Sequence, residues 1–181
     1  MPDDLLFFGA IAVGALVAIA IVVLLARAAW RRQARRYVAR LMSYREAIKA
    51  AFESVRRMSA AFVNGGDDAL VAFAFEAETE ERRAFAEIAA RMELAAEELA
   101  VMALPRRLVA PADALSDAAS ALAEQAREIS DAQGDEALDA LGRIDLVSVV
   151  SLLQNGTEQL ASAAEAYGAE QDTVYGGGLY I

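Results

Sequence analysis

The chain of 181 residues contains no cysteine and no histidine. Without cysteine there is no disulfide framework, no thiolate metal site and no lipidated N-terminal cysteine. Without histidine the chain loses the commonest general base, the commonest metal ligand and the usual pH switch. Nor does any glycine-rich phosphate loop precede a helix. The sequence therefore points away from an enzyme, and it implies no cofactor, no metal and no small-molecule substrate. Proline is scarce as well, at three residues (Pro2, Pro105, Pro111), and long stretches pass with no helix breaker. Hydrophobic residues reach 57%, much of the excess being alanine, the best helix former and one that lets helices approach closely. The fold class expected is all-α.

Residues 5–26 read LLFFGAIAVGALVAIAIVVLLA, with no charged or polar side chain. As a helix this run spans ~33 Å, enough to cross a hydrocarbon core of about 30 Å. A cleaved signal peptide is the competing reading, with Ala26-Arg27-Ala28 as an A-x-A site. Against it stand an N-terminal tetrapeptide that carries Asp3 and Asp4 but no basic residue, and an apolar run that is too long. Arg27, Arg31, Arg32, Arg35, Arg36 and Arg40 crowd the far end of the span, where they serve as topology signals and lipid-headgroup contacts. By the positive-inside rule, residues 1–4 lie outside and everything beyond the span lies in the cytoplasm. The localisation expected is the cell inner membrane, single-pass. Ala10, Gly14 and Ala18 form a small-xxx-small line available for transmembrane packing, although so alanine-rich a segment produces such lines by chance.

Charge is divided along the chain. Residues 27–57 hold ten of the 17 Lys+Arg against Glu46 and Glu53, whereas residues 58–181 hold seven arginines against 23 acids. The acidic remainder would repel phosphates, and no nucleic-acid module accompanies the basic run, so nucleic acid is excluded as a partner.

Nothing breaks a helix between the apolar run and Asn64-Gly65-Gly66, so the first helix is expected to continue through a basic segment, 27–63. There Ala34, Leu41, Ile48, Val55 and Phe62 recur at one heptad position, and Trp30, Tyr37, Tyr44, Ala51 and Met58 at another. The alternating spacing is the seam of a coiled coil or a helix bundle, packed either within one chain or between two. The acidic remainder, 67–170, begins with a helix capped by Asp67 or Asp68 and running to about Leu104. A kink or short separate helix is possible at about 68–77. A linker over 104–111 follows, then a helix over 111–132 and a last helical region opened by Asp135, with Asp145 as a second cap. Short connections make the whole an antiparallel up-down four-helix bundle on a single N-terminal transmembrane helix.

The stretch 104–111, the helix 112–129 and the turn Gly134-Asp135 resemble small bacterial membrane-anchored or lipoprotein-like helical-bundle proteins of unassigned function. The resemblance covers residues 80–168 and implies the four-helix bundle; it brings no functional residues.

Three local features invite chemistry. Glu76, Glu78, Glu80 and Glu81 form the densest acid cluster, but di-iron bundles need histidine, and a solvated face or a hinge is the expected role. Asn155-Gly156-Thr157 matches a glycosylation sequon inside a helical stretch, where Gly156 either permits close helix approach or bends the helix. The tail 171–181 reads QDTVYGGGLYI, and Val174, Tyr175, Leu179, Tyr180 and Ile181 compose either a partner-docking peptide or a frayed end. The function expected is that of a membrane-tethered helical-bundle scaffold whose partners are membrane lipid and a protein, or a second copy of itself. A regulatory or accessory subunit of a larger membrane complex is the alternative.

Overall fold

The computed structural model describes residues 2–76 and 79–168, with the side chains of residues 2–18 and of Val63 outside the description. Among the described residues five helices follow one another: α1 (Pro2–Phe75), α2 (Glu80–Ala100), α3 (Arg106–Asp131), α4 (Asp135–Gly142) and α5 (Leu146–Ala166). No strand occurs among the described residues.

Local chemistry sets most of the boundaries. Gly66 interrupts α1 at φ 75°, ψ −176°, a conformation essentially reserved for glycine, so 67–75 is a separate short arm beyond the long one. Thr79 opens α2 by accepting a hydrogen bond from the Arg82 backbone N–H, and Glu80 and Glu81 occupy the first turn, where the helix dipole favours negative charge. Asp145 caps α5 by accepting from the Ser148 N–H at 3.0 Å. The start of α3 departs from the sequence expectation. The stretch 104–111 is not all linker: α3 begins at Arg106, with Pro105 as its N-cap, and carries Pro111 inside it. Pro111 lies little more than a turn from the helix start, so its missing N–H costs a single intrahelical bond.

Cross-helix contacts fix the topology. Arg45 of α1 reaches Thr157 of α5, while Arg35 reaches the backbone just past the end of α5, so the two helices run antiparallel. Gln125 of α3 meets Asp145 at the start of α5, and Gly156 of α5 faces Leu115 of α3, an antiparallel pairing again. Tyr44 of α1 donates to Glu98 near the end of α2. The long helices α1, α2, α3 and α5 thus run up-down-up-down, with α4 a short link across one end. At Gly156 an added Cβ would lie 3.2 Å from Leu115 Cδ2 and 3.4 Å from the Leu115 backbone nitrogen, so glycine serves close approach of α3 and α5 there.

The heptad of α1 packs within the chain. Ala34, Leu41, Ile48, Val55 and Phe62 are all buried. The second column, however, is displaced by one residue from the sequence expectation. Val38, Arg45 and Phe52 are buried, whereas Tyr37, Tyr44, Ala51 and Met58 are only half-buried and Trp30 is 53% exposed. An arginine in the true column made it look polar, and two tyrosines made its neighbour look like core.

At the end of the bundle opposite the arginine-rich segment, Arg82 joins three helix ends. Its guanidinium donates to the carbonyls of Phe73 (2.7 Å), Ser130 (2.9 Å) and Ala132, and lies 4.8 Å from the centroid of the Phe73 ring. Gly134 N–H donates to the Ala74 carbonyl at 2.8 Å. Carbonyls that helix ends leave unpaired are thereby satisfied, and a buried cation is compensated by dipoles rather than by a carboxylate.

Candidate functional site

The features least explained by folding lie where α1 leaves the bundle. Ile19, Ile21, Val22, Val23, Leu24 and Leu25 are each 51–65% exposed. Consecutive residues of a helix cover its whole circumference, so this segment is apolar on every side and is not covered by another helix among the described residues. Among the described residues no helix is long and apolar enough to cross a membrane. Most of the expected span, 5–26, falls on residues 2–18, whose backbone is helical but whose side chains lie outside the description, as do Ala10, Gly14 and Ala18.

Directly after the apolar turns come the arginines, which the structure divides into four settings. Arg35 is tied to the bundle: its Nε donates to the Tyr167 carbonyl at 3.3 Å and its Nη2 to the Gly168 carbonyl at 2.9 Å. These bonds cap the C-terminal end of α5 with a cation, the sign its dipole favours. Arg40 donates to the Tyr44 hydroxyl at 3.4 Å, and that bond leads the causes that hold its guanidinium above the ordinary arginine pKa. Arg32 and Arg36 are exposed.

Arg27 and Arg31 instead line a recess of about 370 Å³ together with Arg107 from the first turn of α3. Its aromatic wall is Trp30 against Tyr167, edge to face with ring centroids 5.4 Å apart. Among the described residues no carboxylate lines the recess, and none of its three arginines takes part in an ion pair. Sequence reasoning found Arg27, Arg31 and Trp30 but not Arg107 or Tyr167. Both lie far along the chain and arrive only because α3 begins and α5 ends at this level of the bundle.

Away from this end, little suggests chemistry. Glu76 follows α1 and Glu80 and Glu81 open α2, whereas Glu78 lies outside the described residues. Among the described residues no group of three or more metal-ligating side chains is assembled. Thr157 of the sequon is buried and accepts from Arg45. The tail residues Val174, Tyr175, Leu179, Tyr180 and Ile181 lie outside the described residues. No protein family, no curated protein and no solved structure matches the chain.

Proposed function

We propose that the protein is a membrane-tethered scaffold: an N-terminal single-pass helix anchors an acidic helical bundle that recruits a protein partner in the cytoplasm. The observation that carries this reading is the apolar stalk of α1, exposed on every face through Leu25 and succeeded at once by arginine. An all-round apolar helix standing clear of its own core has lipid as its natural solvent. Its cost in water is large, since a fully exposed Leu, Ile or Val side chain forgoes roughly 1.5–3 kcal/mol relative to burial. The arginine cluster supports an N-out orientation by the positive-inside rule. Acids dominate the rest of the bundle, which suits a surface that stays clear of anionic lipid and meets a basic partner.

Alkaline carbonate extraction of membranes from a bacterial host expressing the full chain tests the anchor. Retention in the pellet is expected, together with reporter activity that places the C-terminus in the cytoplasm. Release into the supernatant would sink the proposal. Co-purification from detergent, beside a chain lacking residues 172–181, tests recruitment. A partner held by the full chain and lost on truncation assigns the contact to the tail.

A second reading, a regulatory or accessory subunit of a membrane complex, draws on the unbroken helical backbone from residue 2 to residue 65. A displacement or rotation of the stalk would pass rigidly into the bundle core through Leu41, Ile48 and Val55. That reading requires a membrane partner, which the same detergent co-purification would recover.

A further inference from the structure

We propose that the recess formed by Arg27, Arg31 and Arg107 with Trp30 and Tyr167 is a binding site for a phosphate ester, supplied by the headgroup of an anionic phospholipid. The inference rests on the anchored reading for the source of the ligand, though not for its chemistry. Four observations converge on it.

Three arginines from two helices line one recess to which, among the described residues, no carboxylate contributes; Arg107 also lines the adjoining groove between α3 and α5, where Glu158 lies. Planar guanidinium groups are the usual partners of phosphate oxygens, which they hold by paired, charge-assisted hydrogen bonds. The volume of about 370 Å³ lies within the ~300–1,000 Å³ range of small-ligand sites.

The start of α3 carries the wrong charge for a free helix end. Arg106 and Arg107 occupy its first two positions, no acid lies in the first turn, and Pro105 provides no side-chain cap. Positive side chains at the positive end of a helix dipole are destabilising unless an anion joins them.

The depth is also correct. Arg27 follows Leu25 by two residues and Arg31 by six, which places them about 3 and 9 Å along the helix axis from the last exposed apolar leucine. The headgroup layer adds roughly 5–7 Å on each side of the hydrocarbon core, so Arg27 lies within it and Arg31 just past its outer edge, within reach of it by a long side chain. Trp and Tyr are the residues favoured at this level.

Trp30 is the only tryptophan of the chain, so its emission reports directly on the recess. The full-length protein, in neutral detergent micelles, is titrated with dioleoylphosphatidylglycerol, with dioleoylphosphatidylcholine and, separately, with glycerol phosphate. A saturable change in Trp30 emission is expected with phosphatidylglycerol and not with phosphatidylcholine. Arg106→Gln and Arg107→Gln remove the same charge from adjacent positions, but only Arg107 lines the recess. Arg107→Gln is expected to weaken the apparent affinity about tenfold more than Arg106→Gln, the worth of a charge-assisted bond. Equal weakening by the two variants would overturn the site in favour of diffuse attraction to a charged surface, and so would the lack of saturation. Saturation by glycerol phosphate as tight as by the lipid, with the same ratio between variants, would keep the phosphate chemistry and overturn the lipid as its source. Carbonate extraction reads the anchor independently, so failure of the recess and failure of the tether are separate results.

Discussion

Substituting Thr157 by valine isolates a buried charged contact between α1 and α5. Arg45 is 3% exposed, and its Nε–H donates to Thr157 Oγ1 at 3.1 Å, while the Thr157 hydroxyl donates to the Leu153 carbonyl at 2.7 Å. Valine keeps the shape of threonine and removes the acceptor. The Leu153 carbonyl retains its place in the helix, so its loss is slight. The Arg45 Nε–H, by contrast, is left facing a methyl group inside the bundle. A buried donor deprived of its partner costs roughly 1–3 kcal/mol, and the higher half of that range applies to charged groups. We therefore expect Thr157→Val to destabilise by about 2 kcal/mol. Arg45→Met should cost less, because it replaces the cation by an apolar side chain of similar length and leaves Glu46, its ion-pair partner at 2.9 Å, half exposed to water. The double variant then behaves non-additively: with no guanidinium to strand, valine at 157 is harmless, and the coupling should amount to about 1–2 kcal/mol. Urea unfolding of the full chain in detergent, followed by helical circular dichroism, measures all three. Additive effects, or a Thr157→Val protein as stable as the parent, would refute the view that this hydroxyl satisfies a dry arginine.

Arg82→Met strands carbonyls at the ends of α1 and α3 to which this side chain donates, and we expect a loss of about 2–4 kcal/mol by the same unfolding assay. Arg82→Lys should recover little of it, because one ammonium cannot span carbonyls from both helices as the guanidinium fork does. Gly66→Ala meets no neighbour within 4 Å, so its cost is purely conformational, about 1–3 kcal/mol, and should not be relieved by trimming any surrounding side chain. Hydrogen exchange of residues 67–75 should accelerate more than that of α3 in this variant, and equal acceleration would argue that Gly66 is not the local determinant.

Helix number and polarity were legible because the breakers carry their own physics. Gly66 and Gly134 adopt positive φ, Asp145 presents a capping oxygen, and α1, α2 and α3 turn at Gly66, Pro105 and Gly134; the second long helix, however, starts at Glu80 behind the cap Thr79 and not at Asp67 or Asp68, because 67–75 continues from α1 beyond Gly66. The start of α3 is less legible because two prolines compete to open it: Pro111 fits a first-turn position, but Pro105 already supplies the N-cap. The buried arginines were illegible for a different reason. Arg82 is held by main-chain carbonyls, and Arg45 by a threonine hydroxyl of α5 as well as by its chain neighbour Glu46; the partners on other helices carry no charge and so leave no sign in a charge pattern. The recess at the stalk was half legible, since Arg27, Arg31 and Trp30 lie on one helix, whereas Arg107 and Tyr167 arrive through the antiparallel pairing of α5 with both α1 and α3.

The burial of the heptad also restricts how the protein can self-associate. Leu41, Ile48 and Val55 are wholly inaccessible, covered by the chain's own helices. A coiled-coil dimer through this column would require α1 to leave the bundle and expose the faces of its neighbours, and removal of each large core side chain from its packing costs roughly 2–5 kcal/mol. Self-assembly, where it occurs, must therefore use another surface, and the stalk carries the longest run of exposed large apolar side chains among the described residues. The absence of cysteine makes the distinction simple to measure. Single Val22→Cys and Ile48→Cys variants of the full chain, oxidised in membranes, place a thiol on the stalk or in the core. Disulfide-linked dimer is expected from Val22→Cys if copies pair, and none from Ile48→Cys under any condition that preserves the fold. Efficient crosslinking at position 48 would mean that the seam joins two chains, and would overturn the in-chain packing of α1.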